Sequence, residues 1–159
     1  MIPDDLTLAR AVHVLALVHW IGGVCAVTTI VLPLARQLGD PKVAIEFFEA
    51  FEQRFIRQVR VSISLAGLSG LYMLYALDAW DRFRHLSFWW LDLMVAVWCL
   101  FATMVFVIEP LFAHRKFSEH AMRDVAGAFA RVMRLHVAVL VISAIAIGAG
   151  VLGAHGALP

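Results

Sequence analysis

Four apolar runs set the fold of this chain: Ala11 to Leu34, Val61 to Leu77, Leu86 to Ile108 interrupted by Asp92, and Leu135 to Leu158 carrying His136 and His155. At about 1.5 Å of rise per residue each run crosses a hydrocarbon core of about 30 Å, the second with help from its flanks. In lipid every backbone polar group must be satisfied within its own segment, so an open chain crosses only as helices. A 159-residue chain that is 62% hydrophobic has little left for a separate soluble module. The expectation is all-α: one domain over residues 1–159, a four-helix transmembrane bundle in the lipid bilayer.

Charge orients the bundle. The connection after the first run holds Arg36, Lys42, Arg54, Arg57 and Arg60, and the one after the third holds Arg115, Lys116, Arg123, Arg131 and Arg134. The second connection keeps Arg82 and Arg84, the amino terminus Arg10, and the carboxyl terminus none. By the positive-inside rule the two basic connections face the cytoplasm and both termini face outward, as expected of a multi-pass protein of a bacterial inner membrane. The start Met-Ile-Pro-Asp-Asp is acidic where a cleaved leader is basic, so the first helix is expected to be retained. Nothing in the charge pattern points to nucleic acid.

Both cytoplasmic connections read as helical. Asp40-Pro41 is a helix start, an N-cap followed by proline in the first turn, and Phe47, Phe51, Phe55 and Val59 then recur at every fourth residue. A similar stripe, Met122, Val125, Phe129 and Val132, follows Ser118. No glycine or proline parts either stripe from the next apolar run, which predicts that the second and fourth helices extend into the cytoplasm. Gly22-Gly23, Ala66 with Gly70, and Ala144, Gly148 and Gly153 mark close helix contacts; room for a flat cofactor is the other reading of such glycines. Trp80, Trp89 and Trp90 are expected in an outer aromatic belt, with Trp20 and Trp98 deeper.

Ionisable side chains at membrane depth carry function more often than packing does. Here they are His13, His19, Asp92, Glu109 and His136, while His114 and His120 fall in a basic, solvated connection. Imidazole is the least costly to bury and a common haem and metal ligand, which makes His13 and His136 candidate metal ligands. Helix rise puts His13 about 13 Å and His19 about 5 Å to the outer side of the mid-plane, and His136 about 10 Å to the inner side. Two axial ligands of one haem need equal height, so His13 and His136 make a poor pair within one chain. A partner for His13 from the same surface, such as His85 or His155, and a separate inner haem on His136 are the alternatives. Arg57 and Arg60 suit haem propionates, and Trp20 faces the same interior. Glu109 is placed to pair with Arg57, Arg60 or Arg134. Asp92 reads either as a proton-handling carboxylate or as an exposed group at a helix start.

The first helix, with His13 seven residues before Trp20 and ten before Gly23, resembles the opening helix of the CopD and HemJ-type membrane proteins. The stretch Phe48-Glu-Ala-Phe-Glu52-Gln-Arg54, leading into the helix over Gly67 to Leu74, resembles the corresponding HemJ-type segment. The resemblance implies haem binding at His13. Where HemJ-type enzymes carry a lysine after a tryptophan early in the third helix, this chain has Trp89-Trp90-Leu91-Asp92, and His136 has no counterpart in the HemJ-type pattern. The leading expectation is a b-type haem protein that transfers electrons, with a quinone or a redox protein as partner and a homodimer as its assembly. HemJ-like porphyrinogen oxidation and CopD-like copper handling are the alternatives. The soft ligands Met73, Met94, Met104, Cys25 and Cys99 form no compact motif for copper. Neither cysteine is part of a C-x-x-C, so no disulfide framework, thiolate zinc site or covalent haem attachment is expected.

Overall fold

A computed structural model describes residues 4–113 and 124–158, without the side chains of 111–113. Four helices are long and apolar enough to cross a membrane: α1, Asp5–Gln37; α2, Pro41–Ala76; α3, Leu86–Pro110; and α4, Val125–Ala154. There is no strand among the described residues. This is the architecture of a multi-pass membrane protein.

The ends of the helices follow from local chemistry. Asp4 caps α1 by accepting from the Thr7 amide at 2.6 Å, Asp40 caps α2 from the Lys42 amide at 2.8 Å, and Asp124 caps α4 from Gly127 at 2.9 Å; each satisfies an amide that the first helical turn leaves open. At the far end of α2, Asp78 takes a left-handed φ of 47°. The Ala79 amide then reaches back to Leu74 and that of Asp78 to Tyr75, the crossed pair of bonds that closes a helix. Two wide π turns interrupt the regular helices, Val27–Val31 in α1 and Met104–Ala113 at the end of α3. Each lies against a proline, Pro33 and Pro110. A proline ring collides with the carbonyl four residues before it, and widening the helix relieves that collision without leaving the helix. In α1 the hydroxyls of Thr28 and Thr29 donate to the carbonyls of Val24 and Cys25 at 2.7 and 2.8 Å, so the wide turn leaves no hydroxyl open to lipid.

α2 runs unbroken for 36 residues, about 54 Å at 1.5 Å per residue, some 24 Å more than a hydrocarbon core. α4 runs for 30 residues, so over the described residues both apolar stripes of the basic connections continue unbroken into the next apolar run. The buried face of α2 is Ala44, Ile45, Phe48 and Val59, with Phe51 and Phe55 packed beside it, while Phe47 is 41% exposed. The four-residue stripe read from the sequence is therefore right at Phe51, Phe55 and Val59 and rotated off the core at Phe47. Val125, Phe129 and Val132 of α4 pack on that cluster. Ser118 and Met122, the other residues of the α4 reading, lie outside the described residues.

Three clusters stack along the bundle. Val27, Val31, Leu32 and Ala35 of α1 meet Phe48 and Phe129 at one end. Ala16, Trp20 and Val24 meet Val59, Ile63, Ala66 and Val105 in the middle. Trp90, Leu91 and Ala149 close the end that carries the chain termini. The outer faces are apolar, with Leu15, Val18 and Leu68 each more than 60% exposed, the inverse of a soluble domain and at no cost in lipid. Trp80 and Trp89 are exposed, but Trp90 is 6% exposed because Gly153 lets its indole lie against α4. It belongs to the core rather than to an aromatic belt.

Candidate functional site

The seam between α1 and α2 organises the polar groups at membrane depth. His13 donates through Nδ1 to the Ala66 carbonyl at 2.9 Å and lies 3.1 Å from the Ser69 hydroxyl. Gly70 lies beside the ring, where a Cβ would meet its Cε1 at 3.4 Å, an ordinary contact. Ser69 hands its own proton to the Leu65 carbonyl at 2.6 Å. Nearly two turns along, His19 Nδ1 and the Ser62 hydroxyl share a hydrogen bond at 2.7 Å, with the Gln58 carbonyl 3.3 Å from the same hydroxyl. His136, on α4, bonds back through Nδ1 to the Val132 carbonyl at 3.0 Å.

The bonds of His13 and His136 to carbonyls share one consequence. A neutral imidazole that donates from Nδ1 keeps its lone pair on Nε2, the arrangement found in histidines that ligate metals. None of the three Nε2 atoms has a hydrogen-bond partner among the described residues. His13 and His136 are half-buried, and His19 is exposed at the edge of the seam with α2.

The heights of the rings differ. Val132 and Met133 pack with the Phe48–Phe129 cluster and Leu140 with the Trp20 cluster, so His136 sits level with Val24 to Val27 of α1. That is eleven to fourteen residues from His13, or about 19 Å along the helix. One iron within one chain cannot take both. His85 and His155 lie at the end that carries the termini, exposed, and His155 bonds to the Val151 carbonyl at 2.8 Å; neither touches His13.

Among the charged candidates, Glu109 takes Arg60, at 2.6 Å, and not Arg57 or Arg134, which are exposed. The Arg60 Nε is buried with no partner among the described residues, as is the Trp20 indole N–H. Trp20 itself is 2% exposed and meets the Phe101 ring edge to face, with centroids 4.6 Å apart. Asp92 is exposed in the first turn of the α3 helix proper, where a negative charge suits the helix dipole. It does not cap that helix.

The glycines in the bundle are occupied by the protein's own side chains. Gly23 faces Phe55, Gly67 faces Trp98, Gly150 faces Met94 and Gly153 faces Trp90. At these positions packing is what the small residue serves. Gly22 and Gly148 have nothing within 4 Å and lie on outer faces. No cluster of three or more His, Cys, Asp or Glu side chains able to hold a metal forms among the described residues.

The register that brings Ser62 and Ser69 under the two histidines was not anticipated from sequence. The signal was present as serines seven residues apart on one face of α2, matched to histidines six apart on α1. Comparison with known protein families, with curated proteins and with solved structures finds no match for this chain.

Proposed function

We propose that this chain is an integral membrane b-type haem protein that carries electrons within the bilayer, exchanging them with a quinone or a redox protein. The observation that supports this most is the common state of His13 and His136: each ring donates from Nδ1 to a helix carbonyl, which leaves Nε2 for a metal, while His19 is held through Nδ1 by the Ser62 hydroxyl. In lipid an open nitrogen lone pair is a cost that a structural histidine would avoid.

The residues fit a haem at the periphery of the bundle better than at its centre, where the glycines are filled by protein rings. His13 and His136 belong to different irons because of their separation in height. Arg57, exposed and with no ion pair among the described residues, suits a propionate better than Arg60, which is engaged by Glu109. The group itself would supply one-electron cycling between ferric and ferrous iron. The chain's part is to fix the imidazoles, to keep water away with Leu, Val and Phe side chains, and to hold the sign of charge near the ring edge. The likeness of the His13, Trp20 and Gly23 spacing to CopD and HemJ-type proteins agrees with this reading. The positive-inside pattern supports an orientation with the basic connections in the cytoplasm of a bacterial cell and both termini outside it.

The test is an absorption spectrum of the detergent-purified chain, oxidised and then reduced with dithionite, after expression with adequate haem. A Soret band that shifts on reduction is expected, and His13→Ala and His136→Ala should each alter haem content or spectrum. A chain that carries no Soret band overturns the proposal.

A further inference from the structure

The α1–α2 seam packs ring against glycine at Phe55 and Gly23, but it opens at the end that carries the chain termini. There a groove of about 440 Å³ runs between the two helices. On α1 its wall is Asp5, Leu8, Ala9 and Val12; on α2 it is Leu65, Leu68, Ser69 and Tyr72. Each set steps by three, one and three residues, which places it on a single face of its helix. The helices run antiparallel, as the His13–Ser69 and His19–Ser62 contacts require, so Asp5 stands across from Tyr72 and Val12 across from Leu65. Ala9 and Ser69 leave the groove its room: both side chains are small, and the Ser69 hydroxyl is turned back to the Leu65 carbonyl at 2.6 Å.

The groove is graded along its length. α1 begins at Asp5, and α2 ends at Ala76, four residues beyond Tyr72, so this end lies at the depth of lipid headgroups. Val12 and Leu65 lie seven residues deeper, about 10 Å further into hydrocarbon. Leu8 is 58% and Leu68 66% exposed, so the rims face lipid and the groove opens sideways to it. Charge narrows the choice of occupant. Asp5 is exposed and forms no ion pair among the described residues, and no Lys or Arg lines the groove. A carboxylate set across from an aromatic ring attracts an ammonium twice, by its charge and through the ring face. An anionic headgroup without an amine meets repulsion there.

We propose that the groove binds one aminophospholipid, with its ammonium between Asp5 and Tyr72 and an acyl chain laid along Leu8, Val12, Leu65 and Leu68. Both ends of such a molecule are used: an amine without a chain gains nothing from the trough, and a chain under an anionic headgroup is opposed at the mouth. In place, the acyl chain covers Ser69, which is 7% exposed and lies 3.1 Å from His13. It thereby closes the polar part of the seam to water from the headgroup region. This site stands apart from the haem reading and holds with or without it.

Native mass spectrometry of the full chain in mild detergent counts the lipids that it retains. Phosphatidylethanolamine and phosphatidylglycerol with the same acyl chains are added at equal concentration; both carry the phosphate, so the comparison isolates the ammonium. One phosphatidylethanolamine per chain is expected to be retained about two- to fivefold over phosphatidylglycerol, the range of a solvent-exposed ion pair. Asp5→Asn, which keeps the size of the side chain, should bring the two lipids to parity. Asp4→Asn removes an equal charge one residue away, outside the groove, and keeps a cap on α1, so the preference should survive it. Ala9→Leu fills the groove and should lose the retained lipid of either kind; Ala9→Val repeats the measurement if gel filtration shows that the leucine variant aggregates. A parent chain that retains phosphatidylglycerol as well as phosphatidylethanolamine overturns the proposal. So does a preference that survives Asp5→Asn, or one that Asp4→Asn and Asp5→Asn weaken equally, which would assign it to the general acidity of this end. Retention unchanged on filling the groove places the lipid elsewhere and overturns the site.

Discussion

Gly67→Ala tests the packing that holds α2 against α3. The added Cβ would lie 2.5 Å from Cζ2 and 2.9 Å from Nε1 of Trp98, about 1 Å inside an ordinary carbon contact. The indole cannot simply swing aside, because its N–H donates to the Ile63 carbonyl at 2.9 Å. If the helices part, the cost is that of overpacking, about 1–3 kcal/mol; if the ring turns, a buried donor is stranded at about 1–3 kcal/mol. Alanine returns about 0.5–1 kcal/mol through its better helix propensity. The balance is a loss of about 1–3 kcal/mol. Reversible unfolding by SDS titration in mixed micelles, followed by helicity, measures it. Gly22→Ala is the control, made on haem-free protein: with nothing within 4 Å it should be neutral or gain up to about 1 kcal/mol. Trp98→Phe should remove most of the Gly67→Ala penalty, a coupling that the double-mutant cycle reads directly. Equal stability of Gly67→Ala and Gly22→Ala would refute the argument, and with it the view that ring packing against glycine closes the centre of the bundle.

Three further outcomes follow from the same contacts. Glu109→Gln should cost about 1–3 kcal/mol by the same unfolding assay, below the usual range for a broken buried pair because the Arg60 side chain is 36% exposed and can reach toward water; Arg60→Met in that background should recover part of it, and no recovery would show that the two charges do not depend on each other. Trp20→Phe should change stability by less than about 1.5 kcal/mol, since the loss of ring volume is offset by removal of an indole N–H with no partner among the described residues; a loss above about 3 kcal/mol would mean that this N–H holds a bound group. Hydrogen bonds from Thr7 keep the Asp4 carboxyl below its ordinary value of 3.8, so its contribution to the start of α1 is complete above that value and is lost as pH falls through the lowered one. Thr7 amide exchange should therefore lose protection only in that acid range, and at every pH in Asp4→Ala.

The four crossings were legible because lipid allows so few alternatives: uninterrupted apolar length means a helix whatever the neighbours do. The start of α2 was legible for an equally local reason, since Asp40 and Pro41 cap a helix from their own chemistry. The course of α1 and α3 was less so. Pro33 and Pro110 stood in view, but whether a proline ends, kinks or widens a helix depends on what the surroundings can satisfy. Side-chain pairing was beyond reach because it depends on how two helices slide against each other. A shift of one turn along α2 would put His13 against Leu65 or Tyr72 and His19 against Gln58 or Leu65, and nothing in either helix alone sets that offset. The choice of Arg60 over Arg57 and Arg134 for Glu109 is of the same kind. Phe47 shows the limit of periodicity: a spacing of four fits a helix of 3.6 residues per turn only briefly, and the drift carries the first residue of the stripe out of the core.

That drift gives the wide turn in α1 a further meaning. Its core positions run Ala16, Trp20, Val24, Val27, Val31 and Ala35, nineteen residues in five steps. At about 100° per residue a regular helix would turn about 1,900° over that length, some 100° more than five full circles. The last of these side chains would point a quarter turn away from the first. A π turn takes up one extra residue, which is about the excess. The segment thus acts as an angular spacer between two surfaces that are each cut to a different neighbour, Trp20 to α3 and Ala35 to Phe48. A sequence one residue shorter there would close the π turn to an ordinary one and keep both surfaces in place, whereas a deletion a turn to either side would turn one face out of the bundle. Length variation in this helix has one place where the fold absorbs it.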